Sequence, residues 1–167
     1  MAHVYAGAVG NYLSKGVSYT MNVITTFKEK RKEKQIKYER KMLRELSLED
    51  LKKNVVDSFS SFFRMDSILG SAIEEGCIDV AIEAYLLGAK YSKFGYYGES
   101  VEEVRMRCYR FEKNLIDALY EFICYWGHIG DQGFVNESLY YACEYYVTYW
   151  WTEGFQKGEK RYRLKLH

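Results

Sequence analysis

Not one proline interrupts the 167 residues of this chain. Proline lacks a backbone donor and its ring clashes with the preceding turn, so it is the commonest helix breaker. A chain of this length without it is free to run long helices, and its apolar residues recur at helical spacing. The expected fold is all-α, a compact bundle of about five helices with short connections.

The stretch from Glu74 to Ser100 organises the rest. Ile78, Ala81, Ile82 and Tyr85 fall on one helical face, and Cys77, Val80, Ala84, Leu86 and Leu87 fill most of the remainder. A helix apolar over more than half its circumference is packed by neighbours on several sides. Glu75, Asp79 and Glu83 nevertheless recur every four residues as a narrow acidic stripe. Burying a carboxylate is costly unless it is paired or hydrogen-bonded. The stripe is therefore expected to form an ion-pair seam with Arg105, Arg107 and Arg110 of the next helix, with a solvent-facing edge or a carboxylate metal site as alternatives. The segment from Lys93 to Ser100 closes the helix, its glycines free to adopt positive φ and its aromatics folding back onto the core.

The run GCIDVAIEAYLLGAKYSKFGYYGES (76–100) resembles the signature of a small uncharacterised family from spore-forming Gram-positive bacteria, the YbaK-like proteins. These are distinct from the aminoacyl-tRNA deacylases that share the name. ERKMLRELSL (39–48) and WWTEGFQKGEKRYRLKL (150–166) resemble its flanking blocks, so the likeness covers about residues 21–166. It implies no activity, no cofactor and no catalytic residue.

Charge is close to balanced at +1, but it is unevenly distributed. Residues 21–46 hold nine Lys/Arg against four Asp/Glu and residues 157–167 five against one, whereas 47–156 hold nine against eighteen. Aromatics reach 17 %, with 17 tyrosines, which implies amphipathic rings at the surface as well as in the core. The four cysteines, Cys77, Cys108, Cys124 and Cys143, sit apart in apolar contexts without a CxxC or zinc spacing. They read as buried free thiols of a cytoplasmic protein. No apolar run approaches the ~18 residues of a membrane span, and no secretory signal pattern opens the chain.

Residues 1–20 read as a glycine-rich, poorly structured extension. Lys15-Gly16-Val17 is encoded by AAR-GGN-GTN, a purine-rich string that reads as a ribosome-binding site three codons before Met21. Met21 is accordingly the expected start, with residues 21–167 as one helical domain. The first helix (22–46) has the mixed signs of a solvated basic helix. Ser47-Leu48-Glu49-Asp50 has the form of a capping box opening a second helix to about Arg64. Asp66 or Ser67 starts the central helix. Ser100-Val101-Glu102-Glu103 is a second capping box, opening a helix to about 126 that is expected to bury Val104, Cys108, Phe111, Leu115, Ala118, Leu119, Phe122, Ile123 and Trp126. A glycine-rich loop follows at 127–133, and Asn136 is placed to cap a last helix from 137 to about 157. The basic tail beyond it has three readings: packed on the acidic middle, projecting as a contact arm, or frayed.

Catalytic patterns are sparse. No Glu-x-x-His of a di-iron bundle occurs, His128 reads as a loop histidine, and Cys108 has an apolar register despite its neighbour Arg107. The leading expectation is a non-catalytic protein-binding or regulatory module, with an unknown protein or a second copy as partner. Its candidate contact residues are Tyr96, Tyr97, Tyr141, Tyr145 and Trp151, since Tyr and Trp are enriched at interfaces. The alternatives are a metal-binding protein or enzyme using Glu75, Asp79 and Glu83, and a nucleic-acid binder using Lys30, Arg31 and Lys34 at one end and Arg161 and Arg163 at the other.

Overall fold

The computed structural model describes residues 9–64, 67–129 and 137–165. Every regular element among them is helical: α1 (Val9–Leu43), α2 (Leu48–Phe59), α3 (Ile68–Tyr96), α4 (Val101–Ile129) and α5 (Glu137–Arg163). The all-α expectation and the count of five helices hold. The extension expected over residues 1–20 lies in part outside the described residues, and α1 is helical from Val9. The chain divides into two units, Met1–Arg40 and Lys41–His167. The first contains most of α1, which is exposed at every position from Thr26 to Lys37.

The second unit is built around α3, and its helix boundaries are written locally. Ser47 Oγ accepts from the Asp50 amide at 3.2 Å, and Ser67 Oγ accepts from the Gly70 amide at 2.9 Å. At Ser100 the capping box is reciprocal: its Oγ accepts from the Glu103 amide, and its own amide donates to Glu103 Oε2 at 2.9 Å. The glycine–aromatic turn closes α3 as expected. Gly98 has φ +104°, and the amides of Gly98 and Glu99 donate back to the carbonyls of Gly95 and Phe94, the paired bonds of a Schellman cap. Only a few residues separate the two helices, so α4 turns back along α3.

Packing sets the directions. A methyl added at Gly154 would overlap the Tyr85 carbonyl, and one at Gly158 would overlap Ser92, so α3 and α5 run parallel in close contact. Gly76 abuts Phe122 while Leu87 packs on Val104 and Cys108, so α4 runs antiparallel to α3. Trp151, Tyr85, Tyr146, Phe59 and Met42 are the largest buried side chains. Burying a hydroxyl without a partner is costly, and both core tyrosines find backbone oxygens: Tyr85 donates to Met42 at 3.3 Å and Tyr146 to Cys77 at 3.1 Å.

Several details differ from the sequence reading. α2 stops at Phe59 rather than near Arg64, and α5 continues to Arg163, so the proximal part of the basic tail is helical. α4 runs to Ile129 where a loop was expected from 127; residues 130–136, including Asn136, lie outside the described residues, as does the His128 side chain. Phe111 and Ala118 are exposed, not buried. The buried line of α4 passes instead through Val104, Cys108, Glu112, Ile116, Leu119 and Ile123, about 100° of helix away from Phe111.

Candidate functional site in the groove between α2 and α5

The buried line of α5 is Leu139, Cys143, Tyr146, Val147, Trp150 and Trp151. Beside it, Tyr141, Tyr145 and Tyr149 recur every four residues and form a ridge on one flank, exposed by 59 %, 68 % and 38 %. On α2 the buried line is Leu51, Val55 and Phe59, and its flank carries Asp50, Asn54 and Asp57. A cleft of about 240 Å³ separates the two helices, lined by Asp50, Asn54, Asp57, Tyr149, Trp150 and Glu153 among others. A shallower depression continues it from Asn54 and Asp57 past Ser58 and Ser138 to Tyr141 and Tyr145.

The groove is rich in acceptors. Asn54 Oδ1 is buried without a donor. Trp150 Nε1 is buried as well, turned toward Tyr146 Oη without reaching hydrogen-bond geometry. Asp50 and Asp57 form no salt bridge among the described residues, and Glu153 has only a long one, 3.9 Å to Lys157, which also donates to the Glu45 carbonyl at 3.3 Å. Burial pushes the Tyr149 hydroxyl up from its ordinary value, and Glu153 and Asp50 add to the effect. These carboxylates, the unpaired amide oxygen and the tyrosine faces share the lining with Lys53 and Lys157, so the groove offers a guest both signs of charge beside an amphipathic ridge.

A second buried polar group lies between α4 and α5. The Glu112 side chain is 3 % exposed, and both its oxygens accept from Arg105, the closest at 2.6 Å. Thr148 Oγ1 donates to Glu112 at 3.2 Å and accepts from Arg105 at 2.8 Å. The Arg105 guanidinium also sits 5.9 Å from the Trp151 ring centroid. The pair ties α4 to α5 and raises the Arg105 pKa, through the Glu112 hydrogen bonds first.

Residues 21–167 match the family described as "Protein of unknown function (DUF2521)". The chain belongs to that family. A relative described as "Uncharacterized protein YbaK" of Bacillus subtilis (strain 168) is 34 % identical over 146 residues, covering 87 % of this chain and 99 % of that protein. No solved structure matches. The expected membership of a YbaK-like family is thus established over most of the chain.

Within the DUF2521 segment the sequence candidates separate. Tyr141 and Tyr145 line the groove. Trp151 does not: it is fully buried, its ring stacked on Phe155 at 5.2 Å, and it serves the core rather than a contact surface. Tyr96 and Tyr97 are exposed at the end of α3, where Tyr96 stacks on Tyr162 at 5.8 Å, outside the groove lining. Glu75, Asp79 and Glu83 are exposed, so the expected ion-pair seam is not formed. Arg105 and Arg107 pair instead with Glu112 and Glu99. The stripe occupies an edge of α3 where the acids stay hydrated, which avoids the desolvation cost altogether. Among the described residues no group of three or more His, Cys, Asp or Glu side chains is placed to hold a metal ion. Lys30, Arg31 and Lys34 are exposed on α1. Arg161 is half-buried against Glu45, and Arg163 pairs with Glu159 at 2.7 Å.

Sequence reasoning missed Glu112 and the α2 side of the groove. Glu112 stands four residues after Cys108 and four before Ile116, in the apolar register itself, and a strict reading of that register would have placed it inside. Asn54 and Asp57 carried no such signal, because a polar flank looks the same whether it faces water or a cleft.

Proposed function

We propose that this chain is a cytoplasmic, non-catalytic module that binds another protein through the groove between α2 and α5. The observation that carries the reading is the ridge of Tyr141, Tyr145 and Tyr149 beside a cleft with unpaired acceptors. Tyrosine supplies a large amphipathic contact surface at low entropic cost and is enriched among residues that dominate binding energy. The four free thiols fit a reducing compartment, and among the described residues no helix is long and apolar enough to cross a membrane.

The test uses the tagged full chain as bait in its native host, as wild type and as the Tyr141→Ala/Tyr145→Ala variant. The expected result is one protein retained through nuclease treatment by the wild type and lost at least tenfold by the variant (about 1.4 kcal/mol or more). Equal retention by both would remove the groove from the function. Recovery of nucleic acid that nuclease abolishes would move the function to Lys30, Arg31, Lys34, Arg161 and Arg163.

A further inference from the structure

Within the second unit, one side of α3 faces away from its neighbours. Gly76 and Leu87 turn toward α4, and Gly88 and Ser92 toward α5. On the remaining side Glu75, Asp79, Glu83, Lys90 and Lys93 are exposed, with Ile82 and Leu86 half-buried among them. At ~100° per residue these positions fall within about a third of the helix circumference. Their charges are sorted along the axis: three acids, then Leu86, then two lysines. None of the five forms a salt bridge among the described residues. Antiparallel α4, with Phe122 against Gly76, repeats the order: Arg107 and Arg110 lie beside the lysine half and Glu121 beside the acidic half. Glu99 pairs with Arg107 and Glu103 caps α4, which tempers the basic half without reversing it. Lys113 and Asp117 pair with each other beside Tyr140 of α5, on another side of α4. Phe111 is 55 % exposed and stands three turns before Phe122, within ~20° of the same line. Counted from the Gly76–Phe122 contact at ~1.5 Å per residue, Leu86 and Phe111 are about 15 Å and about 16 Å along, so they share one level.

We propose that two copies of the chain pair through this α3–α4 face, their α3 helices antiparallel about a two-fold axis passing near Leu86 and Phe111. Asp79 of each copy then faces Lys93 of the other, and Glu83 faces Lys90, while Leu86 and Phe111 each meet their own counterpart. An isologous contact demands a self-complementary surface, and a face acidic at one end and basic at the other meets that demand only when the helices run antiparallel. A parallel pairing would set acid against acid, so the charges fix the direction while the apolar axis supplies the burial. From Glu75 to Tyr97 the face is about 33 Å long and, at two helices, about 20 Å wide. That is about 650 Å² per copy, close to the ~800 Å² per partner of a standard interface, so a reversible dimer is expected. The contact uses neither α2 nor the tyrosine ridge of α5, so it is independent of the groove reading.

Sedimentation velocity of the full chain across a concentration series, at about 50 mM and about 500 mM salt, reads the association. A dimer and nothing larger is expected, since the contact closes on itself, and it should weaken at high salt as the exposed charges are screened. Two variants change only exposed side chains and keep the fold: Asp79→Lys/Glu83→Lys makes the centre of the face basic throughout, and Lys90→Glu/Lys93→Glu makes it acidic throughout. Each alone is expected to dimerise at least tenfold more weakly than wild type. An equimolar mixture of the two is expected to form a heterodimer, and the chain carrying all four substitutions to dimerise with itself again. Phe111→Ser, at the axis, should also weaken the dimer at least tenfold, whereas Tyr141→Ala/Tyr145→Ala should dimerise as wild type does. A chain that stays monomeric at low salt, species that grow beyond the dimer, or charge variants whose mixture fails to recover association would overturn the proposal. Loss of the dimer in the Tyr141→Ala/Tyr145→Ala variant would overturn it as well, because self-association would then run through the groove. If the dimer fails while Tyr141 and Tyr145 still govern capture of another protein, the groove reading stands without it.

Discussion

Replacing Arg105 by methionine keeps an aliphatic stem against Trp151 but removes the guanidinium from a carboxylate whose side chain is 3 % exposed. Glu112 would keep only the Thr148 hydroxyl as a donor. Breaking a buried pair from that side leaves an uncompensated charge and costs about 3–5 kcal/mol. The reverse change is gentler. With Glu112→Met the stranded group is Arg105, which is 39 % exposed and can turn its head to water. That loss is expected at about 1–2 kcal/mol, the scale of charge-assisted hydrogen bonds exchanged for hydration. The double variant replaces the pair by two apolar side chains and should lie close to wild type.

Urea unfolding followed by tryptophan fluorescence measures all three, since Trp151 packs against the site. At ~2–4 °C per kcal/mol for a chain of this size, Arg105→Met should lower the melting temperature by on the order of 10 °C. The order of losses is the test: Arg105→Met largest, Glu112→Met smaller, the double variant smallest. Equal single losses, or a double variant as poor as Arg105→Met, would refute the idea that the buried carboxylate is the vulnerable partner.

Four further outcomes follow from the same structure. Gly154→Ala should destabilise by about 1–3 kcal/mol in chemical denaturation despite alanine's better helix propensity, because the new methyl meets the Tyr85 carbonyl, a backbone atom that cannot rotate away. A gain in stability would mean that α3 and α5 can separate freely. Hydrogen bonds at the two caps hold Glu49 and Glu103 below the ordinary 4.5, and Lys113 with Tyr140 holds Asp117 below 3.8. Their contribution is complete above those ordinary values and is lost as pH falls through the lower folded ones, so the melting temperature should drop in acid and Glu103→Gln should flatten that limb. Burial pushes the Cys143 thiol up to about 12 and the Cys77 thiol higher still, and Cys108 is fully buried. Ellman titration of the native protein should therefore find Cys124 alone reacting readily, and all four thiols in denaturant; two or more fast native thiols would contradict the packing. We also propose Met21 as the natural start, and intact mass of the natively expressed protein decides it: a chain beginning at Met1 or Ala2 sinks that start.

The parts of this fold that were legible in the sequence are those fixed by local chemistry. Ser47 and Ser100 announced their helices because a hydroxyl before an apolar run competes for amides that no other group can satisfy. Gly98 announced the end of α3 because the αL turn at that position favours a residue without Cβ. The α3 wheel correctly located the centre of the bundle. It could not tell which edge of that wheel would stay wet, since this depends on where α4 and α5 lie and not on α3 alone. Glu75, Asp79 and Glu83 looked like acids needing arginines and turned out hydrated, while Glu112, absent from the sequence candidates, is the acid that is buried. The same limit hid the groove. Tyr141 and Tyr145 were visible as surplus rings on α5, but they become a site only because α2 sets Asn54 and Asp57 opposite them, more than eighty residues away in the chain. A charge or a ring acquires its role from the partner across the interface, so the register of one helix can nominate a residue but only the pairing of two can assign it.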